Sequence, residues 1–177
     1  IPAFDMNAAC SGFVYALVTA SCLMQSGGYR NILVVGAETM SSITDFEDRG
    51  TCVLLGDGAG AAVISPADNE VSGIYDQSLG SDGSGAKLIW VAAGGSVEPA
   101  SIKTVNERLH YMKMQGRDVY RFAVTKMQEV LASAVERAGL TMDDVKLVIP
   151  HQSNLRIIES AAAKLGSAAP NTPVLTA

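Results

Sequence analysis

Two residues in the chain have the type and setting for covalent chemistry: Cys10 and His151. Cys10 lies in the stretch Asp5-Met6-Asn7-Ala8-Ala9-Cys10-Ser11-Gly12-Phe13. Ala8, Ala9, Ser11 and Gly12 are small, so the backbone can turn sharply there and other groups can approach closely. A helix beginning just after the turn would set its positive end and its unpaired N–H groups against the thiol. Both favour thiolate over thiol, which makes Cys10 a candidate nucleophile. The alternative is a structural cysteine that packs as a small hydrophobe. His151 leaves an apolar run, Lys146-Leu147-Val148-Ile149-Pro150, and is followed by Gln152, Ser153 and Asn154. In open α/β sheets, sites gather beyond the C-terminal ends of strands. Three polar residues in succession exceed what a helix cap needs, although a capping or core-satisfied histidine remains the competing reading.

The surrounding elements can be read from the pattern of apolar residues. Val14 to Met24 is apolar on nearly every face and reads as a buried helix, stopped by Gly27-Gly28. Asn31 to Ala37 is a short apolar run, expected as a strand buried on both faces. Glu38 to Arg49 is polar and reads as a surface loop, with charge concentrated from Asp45 to Arg49. Gly56 to Ile64 resembles a phosphate-binding glycine loop only superficially. The residues after its glycines are strand-like, so a strand with close packing is the better reading. Val71 to Leu79 is expected as a strand and Ala86 to Ala93 as a strand or loop. Gly94 to Asn106 reads as irregular and exposed. Asp118 to Ala138 is amphipathic at helical spacing, with Asp118 as its cap and Gly139 at its end. Lys146 to Pro150 predicts another buried strand, and a helix should follow Asn154 to about Leu165. Alternation of helices and apolar strands makes this an α/β chain.

At 177 residues the chain is long enough for one domain with a core of its own. A net charge of -5 without a long run of one sign argues against nucleic acid or a membrane surface as partner. No stretch is long and apolar enough to span a membrane, and no signal-peptide pattern is found in the first residues. Cys10, Cys22 and Cys52 are an odd number in apolar surroundings, which points to a reducing, cytoplasmic setting. Ile1-Pro2-Ala3-Phe4-Asp5 reads like the middle of an α/β protein, and the expectation is a segment of a longer one.

Several motifs together resemble β-ketoacyl-acyl-carrier-protein synthase III, a thiolase-fold condensing enzyme family. They are Asp5 to Phe13, Asp48-Arg49-Gly50-Thr51, Leu55 with Gly56-Asp57-Gly58-Ala59-Gly60-Ala61, and Pro150-His151-Gln152-Ser153-Asn154-Leu155-Arg156-Ile157. Their order and spacing resemble the family's. The resemblance implies an incomplete segment of a thiolase-like layered α-β-α-β-α fold. Residues 1–166 would form the central part of the condensing-enzyme domain, and residues 167–177 a divergent C-terminal tail.

The implied activity is that of an acyltransferase initiating fatty-acid biosynthesis. Cys10 would take the acyl group of a short acyl-coenzyme A as a thioester. His151 would stabilise charge while malonyl-acyl-carrier protein loses carbon dioxide and attacks. The resemblance further implies that Arg49 contacts the adenine end of coenzyme A and that Gly116 lines the pantetheine tunnel. Asn154 would be a polar residue near the site. Gln152, Ser153, Asn154, Leu155 and Arg156 would form the carrier-protein docking segment, with Arg156 meeting an acidic partner. A homodimer is implied, and no cofactor or metal beyond the coenzyme A thioester as substrate.

The chain departs from the family in one catalytic element. A Gly-Asn-Thr-Ser-like loop with a catalytic asparagine is expected after the histidine helix. Asn171-Thr172 mimics two of its letters between Pro170 and Pro173, too soon after His151, and Asn171 is not assigned the role. Two other readings therefore stand beside condensation. One is acyl transfer from Cys10 to an alcohol or amine without decarboxylation. The other is a non-catalytic carrier-protein-binding fragment. With apolar surface around Val14 to Met24 and Leu33 to Val35, the chain alone is expected to be poorly soluble or inactive.

Overall fold

The computed structural model describes residues 1–69, 72–165 and 172–176. The chain divides into two compact units. The first comprises Ile1–Glu38 and Asp57–Leu79, and the second Thr39–Gly56 and Gly80–Ala177.

In the first unit a short 3-10 turn, Ala9–Ser11, leads into helix α1, Gly12–Gln25. The helix stops where Gly27 adopts φ 78°, a left-handed conformation that a glycine enters without penalty. Strands β1, Ile32–Thr39, and β2, Asp57–Ile64, are neighbours in a two-stranded sheet. The Asn31 side chain accepts the Ser65 hydroxyl at 2.8 Å, tying the start of β1 to the end of β2. The glycine-rich stretch is thus the strand expected, not a phosphate loop. Gly36 in β1 leaves room for Phe13 of α1: a Cβ there would lie 3.4 Å from the Phe13 ring. Ala20 and Val34 are buried in this unit.

Three expectations change here. Val34 is buried, but Leu33 and Val35 are 65% and 57% exposed, so β1 is covered on one face among the described residues and not on both. In α1 only Ala20 is fully buried, and Val14 is 50% exposed. Residues 72–79 contain no strand; apolar composition alone does not supply the regular ladder pairing that makes one. Val71, where that strand was expected to begin, lies outside the described residues.

The second unit carries β3, Ile89–Val91, antiparallel to β4, Met112–Met114, with Trp90 opposite Lys113. Between them, helix α2, Ile102–Asn106, occupies part of the stretch expected to be irregular. Ser101 and Thr104 form a capping box, and Thr104 is fully buried. Helix α3, Gly116–Arg137, packs against α4, Leu155–Leu165. Val124 on α3 and Ile157, Ile158 and Ala161 on α4 form this core. Burying each isoleucine contributes about 1.5–3 kcal/mol. The Tyr120 and Ser160 hydroxyls hydrogen-bond at 2.6 Å across the two helices.

Helix α3 begins earlier than the sequence suggests. Gln115 is its N-cap and Asp118 falls in the first turn, where its charge still suits the helix dipole. Gly139 ends it with φ 70°, as expected. The strand expected at Lys146 to Pro150 is reduced to one parallel bridge between Val148 and Val174. Leu147 and Ile149 are 47% and 68% exposed, so the run has the composition of a buried strand without the neighbours among the described residues. Among the described residues, no helix is long and apolar enough to cross a membrane.

Candidate functional site

Cys10 is exposed and belongs to the first unit, in the 3-10 turn that opens α1. Ala9 before it has φ 47°, a left-handed conformation that costs an L-residue roughly 1–2 kcal/mol. The Ala9 N–H donates to Asn7 Oδ1 at 3.3 Å, and Ser11 N–H donates to the Ala8 carbonyl at 3.1 Å. These bonds hold the bent backbone that presents the thiol. Ser11 makes no side-chain capping bond to α1. The first amide of the helix, Gly12 N–H, instead donates to the Ala9 carbonyl.

The remaining candidates belong to the second unit. His151 follows the bridge at Val148 and precedes α4. It keeps an exposed edge, but the protein atoms around it remove enough water to disfavour the imidazolium and lower its pKa. Its carbonyl accepts Ser153 N–H at 2.9 Å. Gln152 Nε2 donates to the carbonyls of Pro150 and Leu175, both at 3.1 Å. Asn154 caps α4: its Oδ1 accepts Arg156 N–H at 2.9 Å, and its carbonyl accepts Ile157 and Ile158 N–H. Leu155 and Arg156 are exposed on the first turn of α4, and the Arg156 guanidinium has no ion-pair partner among the described residues. Two of the five docking-segment side chains thus support the local fold, while Leu155 and Arg156 face solvent.

Arg49 is held out by its neighbours. Asp48 Oδ1 accepts Gly50 N–H at 2.9 Å, and its Oδ2 accepts the Thr51 hydroxyl at 2.9 Å. Thr51 is buried, whereas Arg49 is exposed and unpaired among the described residues. Gly116 opens α3, positioned by the Gln115 N–H donating to the Leu88 carbonyl at 2.7 Å beside the β3–β4 ladder. A Cβ at Gly116 would meet nothing within 4 Å. With Arg117, Tyr120 and Arg121 it lines a shallow depression of about 390 Å³.

Sequence comparison accounts for this set of motifs. The family profile described as 3-oxoacyl-[acyl-carrier-protein (ACP)] synthase III matches residues 4–83, and the profile of that family's C-terminal part matches residues 135–175. The chain belongs to the synthase III family. It is 48% identical over 163 residues to a β-ketoacyl-[acyl-carrier-protein] synthase III of Caldanaerobacter subterraneus, covering 92% of this chain and 49% of that protein. The chain thus spans about half the length of the curated relatives it matches. Crystal structures of the synthases III of Aquifex aeolicus and Thermus thermophilus are each 40% identical to it, with TM-scores of 0.81 and 0.83. They match over 99% and 97% of this chain and 52% of each solved chain. The α/β fold is accordingly the thiolase-like one expected.

One constellation of this synthase III chain has no local signature in its sequence. Asp45, 5% exposed, receives the Arg108 guanidinium at both carboxylate oxygens, with Arg108 Nε 3.2 Å from Oδ2. Lys113 stands 3.6 Å from the same carboxylate. Arg108 foremost, through its hydrogen bond, holds the Asp45 pKa down to about 2. The charge between Asp45 and Arg49 was visible, but Arg108 lies 63 residues further on and no local pattern links them. Asn171 lies outside the described residues. The Thr172 hydroxyl is within 3.2 Å of the Met142 carbonyl and 3.3 Å of that of Val145, which ties it into the local fold.

Proposed function

We propose that the chain carries the acylation and condensation residues of a synthase that joins a short acyl-coenzyme A to malonyl-acyl-carrier protein and so initiates fatty-acid synthesis. The observation that carries this reading is the strained turn at Ala9, which presents the exposed Cys10 thiol ahead of α1 in a synthase III chain. Cys10 ionises, and its thiolate attacks the thioester carbonyl, forming an S–acyl bond and releasing coenzyme A as its thiolate, which takes up the proton that Cys10 gave up. Malonyl-acyl-carrier protein then loses carbon dioxide. The resulting carbanion attacks the acyl-enzyme carbonyl and expels the Cys10 thiolate. Negative charge develops on a thioester oxygen in this step and requires a hydrogen-bond donor. A neutral His151 supplies one, and its lowered pKa favours that form.

Arg49 serves the nucleotide end of coenzyme A and Gly116 the pantetheine arm. Leu155 and Arg156 present an apolar contact and a cation to an acidic carrier protein. Asn154 acts near the site through the helix it caps. The protein works in the cytoplasm as a homodimer.

Intact-mass spectrometry after mixing with acetyl-coenzyme A tests the reading, on this chain and on the full-length gene product. The expected result is one acetyl adduct, absent in Cys10→Ala. No adduct on the full-length gene product would defeat it. A decarboxylated β-ketoacyl product on the carrier protein separates condensation from simple acyl transfer.

A further inference from the structure

Arg108 occupies a position that backbone energetics would give to glycine. It follows the C-cap of α2, Glu107, with φ 56°, and Leu109 N–H donates to the Thr104 carbonyl at 3.0 Å. This is the left-handed residue that ends a helix, where glycine avoids the steric strain that any L side chain incurs. An arginine held there against that cost directs attention to what its side chain does.

The guanidinium grips the loop that bears Arg49. It binds both oxygens of buried Asp45, approaches Glu47 Oε2 at 3.5 Å, and stacks over Tyr111 at 4.9 Å. Asp45 Oδ1 also accepts Glu47 N–H at 3.1 Å, and the Asp45 carbonyl accepts Asp48 N–H at 3.0 Å. Asp48 in turn fixes Gly50 and Thr51 on either side of the exposed Arg49. A continuous series of bonds therefore runs from Arg108 to the turn that projects Arg49.

We propose that Arg108 is a positioning residue for coenzyme A thioesters: its clamp on Asp45 sets the Asp45–Thr51 turn so that Arg49 meets the nucleotide end of the substrate. This rests on the synthase reading above and adds to it the group that aims Arg49. Arg108 itself touches no substrate. Its effect depends on the donor, because only a donor with a nucleotide uses Arg49.

The test compares acylation rates of Cys10 by acetyl-coenzyme A and by acetyl-pantetheine, which has the same thioester arm and no nucleotide, in the full-length gene product. Arg108→Gly suits the left-handed backbone and removes only the side chain. Lys113 remains to neutralise Asp45, so the loop keeps a counter-charge. Arg108→Gly should slow acylation by acetyl-coenzyme A about tenfold, the scale of a small misplacement of a binding group, and leave acetyl-pantetheine unchanged. Arg108→Lys, which keeps the charge but not the fork, should fall between. Equal slowing with both donors would mark a purely structural residue and overturn the proposal, as would no slowing with either. A wild type that does not prefer acetyl-coenzyme A would also overturn it. A wild type acylated by neither donor would instead remove the synthase reading, and the positioning role with it.

Discussion

At the scale of single residues, His151 shows how partial burial selects a protonation state. The folded chain disfavours its charged form, so the imidazole stays neutral to lower pH than the ordinary value of about 6.5. Two consequences have the same sign. A condensation that needs a neutral donor should decline only below the lowered midpoint. The stability linked to His151 is fully present above the unfolded value and is lost as pH falls from there through the lowered folded value, because in that interval the folded chain takes up fewer protons than the unfolded one. The ring Cε1–H signal, assigned with His151→Gln against the other histidine, His110, should titrate below 6.5; a midpoint at or above that value would refute the assignment. Asp45 behaves conversely in partnership and alike in linkage. Held by Arg108 and Lys113 with a pKa of about 2, it contributes stability above the ordinary carboxylate range that is lost as pH falls toward 2. Asp45→Asn should lower the urea midpoint at pH 7 and flatten its dependence on pH between about 4 and 2.

At the scale of elements, the site depends on where helices begin. Asn154→Ala removes the side-chain cap of α4 and should cost about 1 kcal/mol in denaturant unfolding, whatever it does to catalysis. Gly116→Leu makes the opposite separation. Nothing lies within 4 Å of a Cβ there, so unfolding should be little changed while acylation by pantetheine-bearing donors slows. Equal rates for Gly116→Leu and wild type would exclude a tunnel role. The same elements show what the sequence could reveal. Helices α1, α3 and α4 were legible because their apolar spacing is local, and β2 because residues after its glycines are strand-like. Residues 72–79 and the run Lys146 to Pro150 have the composition of strands without forming them, because a strand is defined by its neighbour, which composition does not specify. The Cys10 and His151 motifs were legible as contiguous residues. The strain at Ala9 and the Asp45–Arg108 pairing were not, since one is a dihedral angle and the other joins distant segments.

At the scale of the whole chain, large apolar side chains remain uncovered in each unit. Leu33, Val35 and Val63 are 65%, 57% and 66% exposed in the first, and Leu147 and Ile149 likewise stand open in the second. Such surface favours association. The 177-residue chain expressed alone should self-associate on size-exclusion chromatography and enhance the fluorescence of an apolar dye. A dye-silent monomer would contradict this. The carboxamide of Gln152 bears on a different matter, the timetable of synthesis. It reaches the carbonyls of both Pro150 and Leu175, and the bridge from Val148 to Val174 lies alongside. A nascent chain acquires its structure from the N-terminus as it leaves the ribosome. The residues of the Cys10 turn and its sheet emerge while the latter half is still being translated. The backbone beside His151 cannot complete its bonds until residue 175 has emerged, so locking the histidine waits on a segment made well after the nucleophile.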